Sequence, residues 1–458
     1  MIEKIDRYSN YLYRALLLLI IVFISSDIFL TIELSGATIR FSYILFSALF
    51  ILWIIYISIT KNYAIPVDRT YLPLILFCFI SCLSSLNSPF PLKSLIYSLW
   101  TIFYAITIVF LVWFSRNDRL SNLDWMLKVY FYSYLAISII GFYQFLLPFI
   151  IGEKTPLIRQ WWQKYTLARI NVFSYEPSYF ATYMLMGFFV WFILWIRKSD
   201  FINYKGITVI ATGLIIFLSS SRIGWIGIAL IIGYGLIELI GYWSVNKKLT
   251  NQKAIFFISL IVLVLLGTSL LLIMVNNPER FKFVFEGTGL FDTSEHSYAE
   301  RSERTIQTFK VFLDNPINIL IGVGPGGAGA YMASNPEKFG VYVEGFKNLW
   351  ATEPNNLIAE LLASVGIVGF IFFLWFIVII FKRLWNLYKN NNLIEKYRTI
   401  CLAMFWGLAI ELIILQFNQN YLRPYLWLHI GISIALVNTL EHFLRNKDPL
   451  IYISYEKK

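Results

Sequence analysis

Apolar segments of about 20 residues recur along this 458-residue chain and restrict its fold more than any other feature. A helix needs roughly 20 such residues to cross a hydrocarbon core of about 30 Å. Within that core each backbone polar group must be paired inside the protein, which favours helices. Charged residues make up only 14% of the sequence, whereas a soluble domain has roughly 25%. The sequence therefore predicts an all-α polytopic membrane protein.

Twelve apolar segments are interpreted as membrane spans. They lie at about 12–30, 39–60, 71–86, 95–114, 127–150, 178–196, 206–219, 222–242, 254–275, 355–381, 399–417 and 422–440. With the N-terminus inside, most of the 38 Lys and Arg residues fall in cytoplasmic segments, as the positive-inside rule requires. Both termini are therefore predicted to be cytoplasmic. The net charge of +11 is explained in this way without a nucleic-acid partner.

The span positions divide the chain into three parts. Residues 1–275 hold spans one to nine with an outer loop at 151–177, residues 276–354 form a large outer loop, and residues 355–458 hold spans ten to twelve with a cytoplasmic tail. The large loop is too long for a simple connector. Residues 297–316 within it predict an amphipathic helix, because apolar residues recur at helical spacing. Asn315-Pro316 is expected to end this helix.

The large loop continues with the glycine-rich segment 322-GVGPGGAGAYM-332. No Gly-Lys-Ser or Gly-Lys-Thr follows, so the segment is not a Walker A motif. A tight turn that packs the loop onto the bundle is the favoured interpretation, and a phosphate-binding loop is the alternative. The three Cys and three His have no metal-ligand spacing. We therefore expect no metal and no cofactor.

The segment 218-LSSSRIGWIG-227 places Arg222 at the outer end of a predicted span. A charge at the bilayer centre costs roughly 2.5–3.5 kcal/mol, and less near the end of a span. One interpretation is that Arg222 extends to the lipid headgroups. The other is that the three serines, the start of a helix and the guanidinium bind an anion.

Further outer residues fit either a membrane-interface role or a binding role. The segment 152–184 is rich in aromatic and basic residues, which is typical of an interfacial aromatic belt or of a sugar-binding and anion-binding surface. The arginines that we consider as further ligands for a phosphorylated lipid headgroup are Arg159, Arg169, Arg301, Arg304 and Arg423. Glu411, within span eleven, is either a functional acid or a protonated structural one.

Four motifs carry a resemblance to a known family: ARINVFSYEPSYFATYM, SSSRIGWIGIAL, NPINILIGVGPG and PNNLIAELLASVGIVGF. Together with the large outer loop they resemble the bacterial O-antigen ligase/O-antigen polymerase superfamily, over about residues 150–380. The resemblance implies a metal-independent glycosyltransferase of C-type architecture (GT-C) in the bacterial inner membrane, with its active site facing the periplasm. Such enzymes take a glycan from undecaprenyl pyrophosphate.

The resemblance also assigns residue roles. By motif, the arginines that bind the pyrophosphate correspond to Arg169, Arg222 and Arg304, and we add Arg159 and Arg301 as neighbouring candidates. Ligases carry His-Asn where this chain has Asn355-Asn356, so the ligase histidine is absent and a polymerase is favoured. Candidates for the base are Glu353, Glu176 and, more distantly, His296. Tyr175, Asn355 and Asn356 are expected on the acceptor side.

The predicted function is therefore a polymerase of O-antigen or a related surface polysaccharide. It would transfer a glycan to the non-reducing end of another lipid-linked repeat unit by inverting direct displacement. A ligase to lipid A-core or another acceptor is the first alternative, and a transporter of the lipid-linked glycan is the second. The expected partners are the undecaprenyl pyrophosphate-linked oligosaccharide, membrane lipid and a chain-length regulator protein.

Overall fold

The computed structural model describes most of the chain. The described residues are 2–29, 31–34, 37–61, 64–152, 158, 160–163, 167–246, 296–340, 356–418 and 421–451. The helices are α1 Ile2–Val22, α2 Phe41–Thr60, α3 Tyr71–Ser84, α4 Pro91–Arg116, α5 Ser121–Leu146, α6 Pro148–Ile151, α7 Pro177–Ile196, α8 Lys205–Leu218, α9 Arg222–Asn246, α10 His296–Leu313, α11 Pro316–Ile321, α12 Ala328–Ser334, α13 Pro336–Phe339, α14 Leu357–Lys389, α15 Glu395–Asn418 and α16 Pro424–Arg445.

Short strands accompany these helices. They are β1 Ile32–Leu34, β2 Ala37–Ile39, β3 Asn117–Leu120, β4 Trp161–Gln163 and β5 Leu167–Ala168. β1 pairs with β2, and β4 pairs with β5, both antiparallel. The predicted all-α class is therefore correct for the bundle, and the strand pairs form small hairpins in the segments between helices.

Six helical segments in the described part are long and apolar enough to cross a membrane, and they confirm the polytopic class. They are Phe41–Thr60, Pro91–Arg116, Ser121–Ile151, Pro177–Ile196, Leu357–Lys389 and Glu395–Asn418. Shorter apolar helices coincide with the predicted first, third and seventh spans, and α9 and α16 coincide with the eighth and twelfth. The ninth, 254–275, lies outside the described residues. A total of twelve spans stays a prediction.

The predicted end of the first span, near residue 30, differs from the structure. Helix α1 ends at Val22, because the chain then turns to pair with a distant segment. The backbone N–H groups of Asp27 and Ile28 both donate to the carbonyl of Phe173, at 2.9 and 3.2 Å. The residues after α1 thus complete a tertiary contact instead of another helical turn.

Helix α7 lies at the centre of the bundle, and 83% of its most apolar 18-residue stretch is buried. It packs against α8, α9 and α15, while α16 packs against α4 and α14 packs against α3 and α15. At Gly187 in α7 a Cβ would overlap the ring of Tyr134 on α5. A glycine at this position therefore permits the close contact between α7 and α5.

Two ion clusters lie at opposite ends of α16. At its start, Arg423 pairs with Asp27. Near its end, Glu441 pairs with Arg383, which also binds Asp68. At about 1.5 Å per residue the two clusters are about 27 Å apart along the helix, close to the roughly 30 Å of a hydrocarbon core. We call the Arg423 end the site end of the bundle, because the candidate residues described below lie on elements that meet there.

Candidate functional site

Residues 169–176, which we call the strap, carry three of the predicted site residues and lead into α7. At its start, Arg169 is hydrogen-bonded to the turn between α8 and α9. Its Nη2 donates to the carbonyl of Ser220 at 2.9 Å and its Nε to that of Ser219 at 3.5 Å. Its Nη1 donates to Oε1 of Gln160 at 2.6 Å. The Arg169 guanidinium is thereby fixed against the backbone that immediately precedes Arg222.

The three serines that precede Arg222 form the turn between α8 and α9. Ser219, Ser220 and Ser221 are buried, and Ser220 has a left-handed φ of 52°. Arg222 is the first residue of α9 and is half-buried. At Gly224 a Cβ would lie 2.8 Å from Cγ2 of Ile216, so a larger residue would push α9 away from α8. The prediction that Arg222 begins a helix is confirmed, and it begins beside Arg169.

The middle of the strap is held in a strained conformation. Val172 has a φ of 47°, which is unfavourable for a β-branched residue. Oε1 of Gln144 accepts the backbone N–H groups of Asn171 and Val172, at 3.1 and 2.9 Å. Such strain persists only where the surroundings impose it. The α5 residue Gln144 therefore helps to define the path of the strap.

Glu176 ends the strap and precedes Pro177, the first residue of α7. The Ser178 hydroxyl donates to Oε2 of Glu176 at 3.0 Å. Because the N-terminus of a helix carries partial positive charge, a carboxylate is favoured there. Tyr175 is 55% exposed. The strap thus places an arginine at one end and a carboxylate at the other, with an exposed tyrosine beside the carboxylate.

Helix α14 is broken near its start. Gly366 has φ 64° and ψ −173°, so residues 357–365 form a separate half-helix. The N–H groups of Val323 and Gly324 donate to the carbonyls of Ala363 and Ser364, at 2.8 and 2.9 Å. The glycine-rich segment is therefore the tight turn that the sequence favours, packed onto the bundle. The break at Gly366 allows its backbone to approach that of Leu320 and Ile321 closely.

Asn356 caps this half-helix. Its Oδ1 accepts the Ala359 N–H at 2.8 Å, and its Nδ2 donates to the carbonyl of Gln416 at 2.8 Å. Oε1 of Gln416 also accepts the Ile358 N–H at 3.3 Å. The Asn356 amide, predicted to lie on the acceptor side, is thus engaged in fixing the helix start. Glu353, Asn355 and Arg159 lie outside the described residues.

Arg304 lies on α10, which packs against α14, and is half-buried. The predicted helix of residues 297–316 is confirmed as His296–Leu313. Asn315 caps the next helix by accepting the Asn318 N–H at 2.9 Å, which explains the boundary. Arg301 and His296 lie on α10, and their side chains are outside the described part. The convergence of Arg304 with Arg169 and Arg222 stays a prediction.

Arg423, considered as an anion ligand from the sequence, is engaged in a largely buried ion cluster. Its Nη1 lies 3.1 and 3.2 Å from the two carboxylate oxygens of Asp27, and Nε of Arg40 donates to Asp27 at 2.8 Å. Burial alone would raise the pKa of Asp27, but the charges of Arg423 and Arg40 outweigh it and lower that pKa. No sequence motif marks Asp27 or Arg40 as residues of the site. Their only local signal is charge beside an apolar segment.

Glu411 is fully buried within the bundle. Neither of its carboxylate oxygens has a hydrogen-bond partner among the described residues. Burying an unpaired carboxylate is very costly, so Glu411 fits the structural alternative, a neutral acid inside the bundle. It lies on α15, about 10 Å along that helix from its end at Asn418, at about 1.5 Å per residue.

The fold and the site together define a multi-pass membrane protein with a basic, aromatic site at one end of its bundle. Residues 207–374 match the model of a family described as O-Antigen ligase. This segment contains most of α8, Arg222, Arg304, the glycine-rich turn and the capped half-helix. The match supports the resemblance to the O-antigen ligase/polymerase superfamily. No curated protein matches the chain.

Proposed function

We propose that this protein is a polysaccharide polymerase that uses undecaprenyl pyrophosphate-linked repeat units. The observation that carries the proposal is the hydrogen bonding of Arg169 to the turn that begins with the serines and ends at Arg222, inside a chain whose residues 207–374 match the O-antigen ligase family. Two arginines and the N-terminus of α9 at one place favour a multiply charged anion.

In the proposed reaction, an acceptor sugar hydroxyl attacks the anomeric carbon of the donor glycan. The new bond is carbon to acceptor oxygen, and the bond that breaks joins the anomeric carbon to the pyrophosphate oxygen. The electron pair of that bond stays with the leaving undecaprenyl pyrophosphate. The hydroxyl proton passes to a carboxylate, Glu176 or Glu353. A single displacement inverts the anomeric configuration.

The arginines supply electrostatic catalysis in this scheme. Negative charge grows on the bridging oxygen as the bond breaks, and fixed cations stabilise it without having to reorganise. The hydrogen bonds of Arg169 to Ser219, Ser220 and Gln160 support such a fixed position. Arg222, Arg304, Arg159 and Arg301 are proposed to complete the pyrophosphate site, and Tyr175 and Asn355 to contact the acceptor.

The first alternative is a ligase that transfers the glycan to lipid A-core or another acceptor. Asn355 stands where the ligase pattern has histidine, which favours the polymerase. Transport of the lipid-linked glycan is the second alternative. The polymerase is preferred to it because Arg169 and Arg222 lie together at one end of the bundle.

Deletion of the gene distinguishes the three functions on a lipopolysaccharide gel. A single repeat unit on the core identifies a polymerase. Bare core with accumulating lipid-linked polymer identifies a ligase. Lipid-linked units that cannot be labelled from the periplasmic side identify a transporter.

Substitution of Arg222 tests the site directly. We expect Arg222→Ala to abolish polymer at normal protein levels, because the leaving pyrophosphate loses a fixed cation. Arg197→Ala is the matched control. Arg197 lies at the other end of α7 and pairs with Glu238 at 2.8 Å, so its loss should leave the polymer intact. Chains of wild-type length from the Arg222→Ala protein would remove Arg222 from the proposed mechanism.

A further inference from the structure

The segment after α1 also holds the strap, in addition to Gln144. Asp27 contacts the strap twice: its backbone N–H donates to the carbonyl of Phe173 at 2.9 Å, and its carboxylate accepts the backbone N–H of Tyr175. The Ser174 hydroxyl donates to the carbonyl of Ser25 at 3.2 Å. These bonds fix the strap on both sides of Ser174, directly before Tyr175 and Glu176.

The carboxylate of Asp27 is itself held by two arginines from distant helices. Arg40 precedes α2 and Arg423 precedes α16, and the side chains of Arg40, Asp27 and Arg423 are 18%, 13% and 11% exposed. The guanidinium of Arg423 also lies over the ring of Tyr179 on α7, 4.3 Å from its centroid. The cluster therefore connects three helices to the end of the strap that carries Glu176.

Aromatic packing adds to these contacts. The ring of Phe173 lies 5.4 Å from that of Phe23 and 5.9 Å from that of Phe29, measured between ring centroids. The ring of Phe41 packs edge-on against those of Phe23 and Phe29. The strap is thus bonded to the α8–α9 turn through Arg169, to α5 through Gln144 and to the segment after α1 through Asp27. Its two ends, Arg169 and Glu176, are set at a defined spacing.

We propose that Asp27 is a positioning residue for glycan transfer, acting through the backbone of the strap on Glu176, Tyr175 and Arg169. The proposal rests on the function proposed above. Asp27 does not touch the substrate in this scheme. Its carboxylate is directed at Arg40, Arg423 and the Tyr175 N–H. It keeps the strap in the position from which Arg169 binds the pyrophosphate.

The bundle offers a matched control at its other end. Asp68 is a buried aspartate that binds Nη1 of Arg383 at 2.7 and 2.8 Å and accepts a backbone N–H, that of Thr70, at 2.9 Å. Asp68→Asn therefore breaks an ion pair of the same kind at the end of α16 opposite Arg423. A purely structural role for Asp27 would give the two Asn variants the same behaviour.

The experiment compares wild type, Asp27→Asn, Asp27→Glu and Asp68→Asn proteins in lipid nanodiscs. Binding of undecaprenyl pyrophosphate is measured well below the unfolding temperature of each protein. A nitroxide on Tyr175→Cys reports strap mobility, and one on Tyr204→Cys, at a position that is 67% exposed, reports a distant site. If Asp27→Asn does not fold, Asp27→Asn combined with Arg40→Gln replaces it, because removing both partners costs less than stranding one charge.

We expect both Asn variants to unfold at lower temperature than wild type. Asp27→Asn should also lose roughly tenfold to a hundredfold in affinity, with a more mobile label at position 175 and an unchanged label at 204. Asp27→Glu should recover part of the affinity. Equal affinities for the two Asn variants, or an unchanged label at 175, would overturn the proposal. Failure of the wild-type protein to bind undecaprenyl pyrophosphate would instead reject the proposed function, and the label would still decide whether Asp27 positions the strap.

Discussion

The break at Gly366 gives a prediction whose size follows from the geometry. The residue has φ 64° and ψ −173°, a conformation that is essentially restricted to glycine. A Cβ at this position would overlap the carbonyl of Leu320, which precedes the glycine-rich turn. Gly366→Ala must therefore either keep a strained backbone or push the turn away from the half-helix.

Both outcomes cost stability. The backbone conformation alone costs about 1–3 kcal/mol for a residue with a side chain. Displacing the turn breaks the hydrogen bonds from Val323 and Gly324 to α14, each contributing about 1 kcal/mol. We expect a total loss of about 3–5 kcal/mol when both effects contribute. Activity should fall as well, because the half-helix carries the cap at Asn356.

Gly233→Ala is the control. Gly233 lies within α9, and a Cβ there meets no atom within 4 Å, so alanine should stabilise the helix by about 0.5–1 kcal/mol. Unfolding of both variants is followed by circular dichroism in the same detergent with increasing denaturant. If Gly366→Ala unfolds at the denaturant concentration of Gly233→Ala or of wild type, the break in α14 is not required by the fold and the reasoning fails.

Two further predictions concern the strap. Arg169→Lys should lower polymer synthesis at least about tenfold at unchanged protein levels. The reason is that one ammonium group does not reproduce the guanidinium that bonds to both Ser220 and Gln160. Polymer of normal length and amount on a gel would contradict this. The second concerns pH. The pKa of Asp27 is lower in the folded protein, where the charges of Arg423 and Arg40 outweigh burial, than its unfolded value of about 3.9. Its stabilising contribution is therefore complete above about pH 4 and is lost as the pH falls through the folded pKa. Thermal unfolding between about pH 5 and 3 should show a steeper loss for wild type than for Asp27→Asn, and parallel curves would refute this.

Local sequence patterns predicted the elements of the site well. The start of α9 at Arg222 and the end of α10 before Asn315 depend on residues within one or two helical turns. Their causes are helix capping and backbone restriction by proline, which act between near neighbours. A single sequence contains those signals in full.

The long-range contacts of the site could not be predicted in this way. Arg423 and Asp27 are 396 residues apart in the chain, and no local pattern selects that partner for either residue. Gly366 belongs to a Gly-x-x-Gly pair, which is also typical of regular helices in close contact. The break is decided by the backbone of Leu320 and Ile321, which approaches from another part of the chain.

The charge distribution at the site end explains why Asp27 suits a positioning role. Arg40 and Arg423 share one carboxylate, so the cluster keeps a net positive charge. Helices α7, α9, α14 and α16 all begin at this end, and the start of each contributes partial positive charge. An anionic pyrophosphate would be favoured there, whereas a second acid facing the same space beside Glu176 would weaken that preference. Asp27 avoids this conflict, because its oxygens are directed at two guanidinium groups and the Tyr175 backbone. Its negative charge thus fixes the strap without cancelling the positive potential that the donor requires.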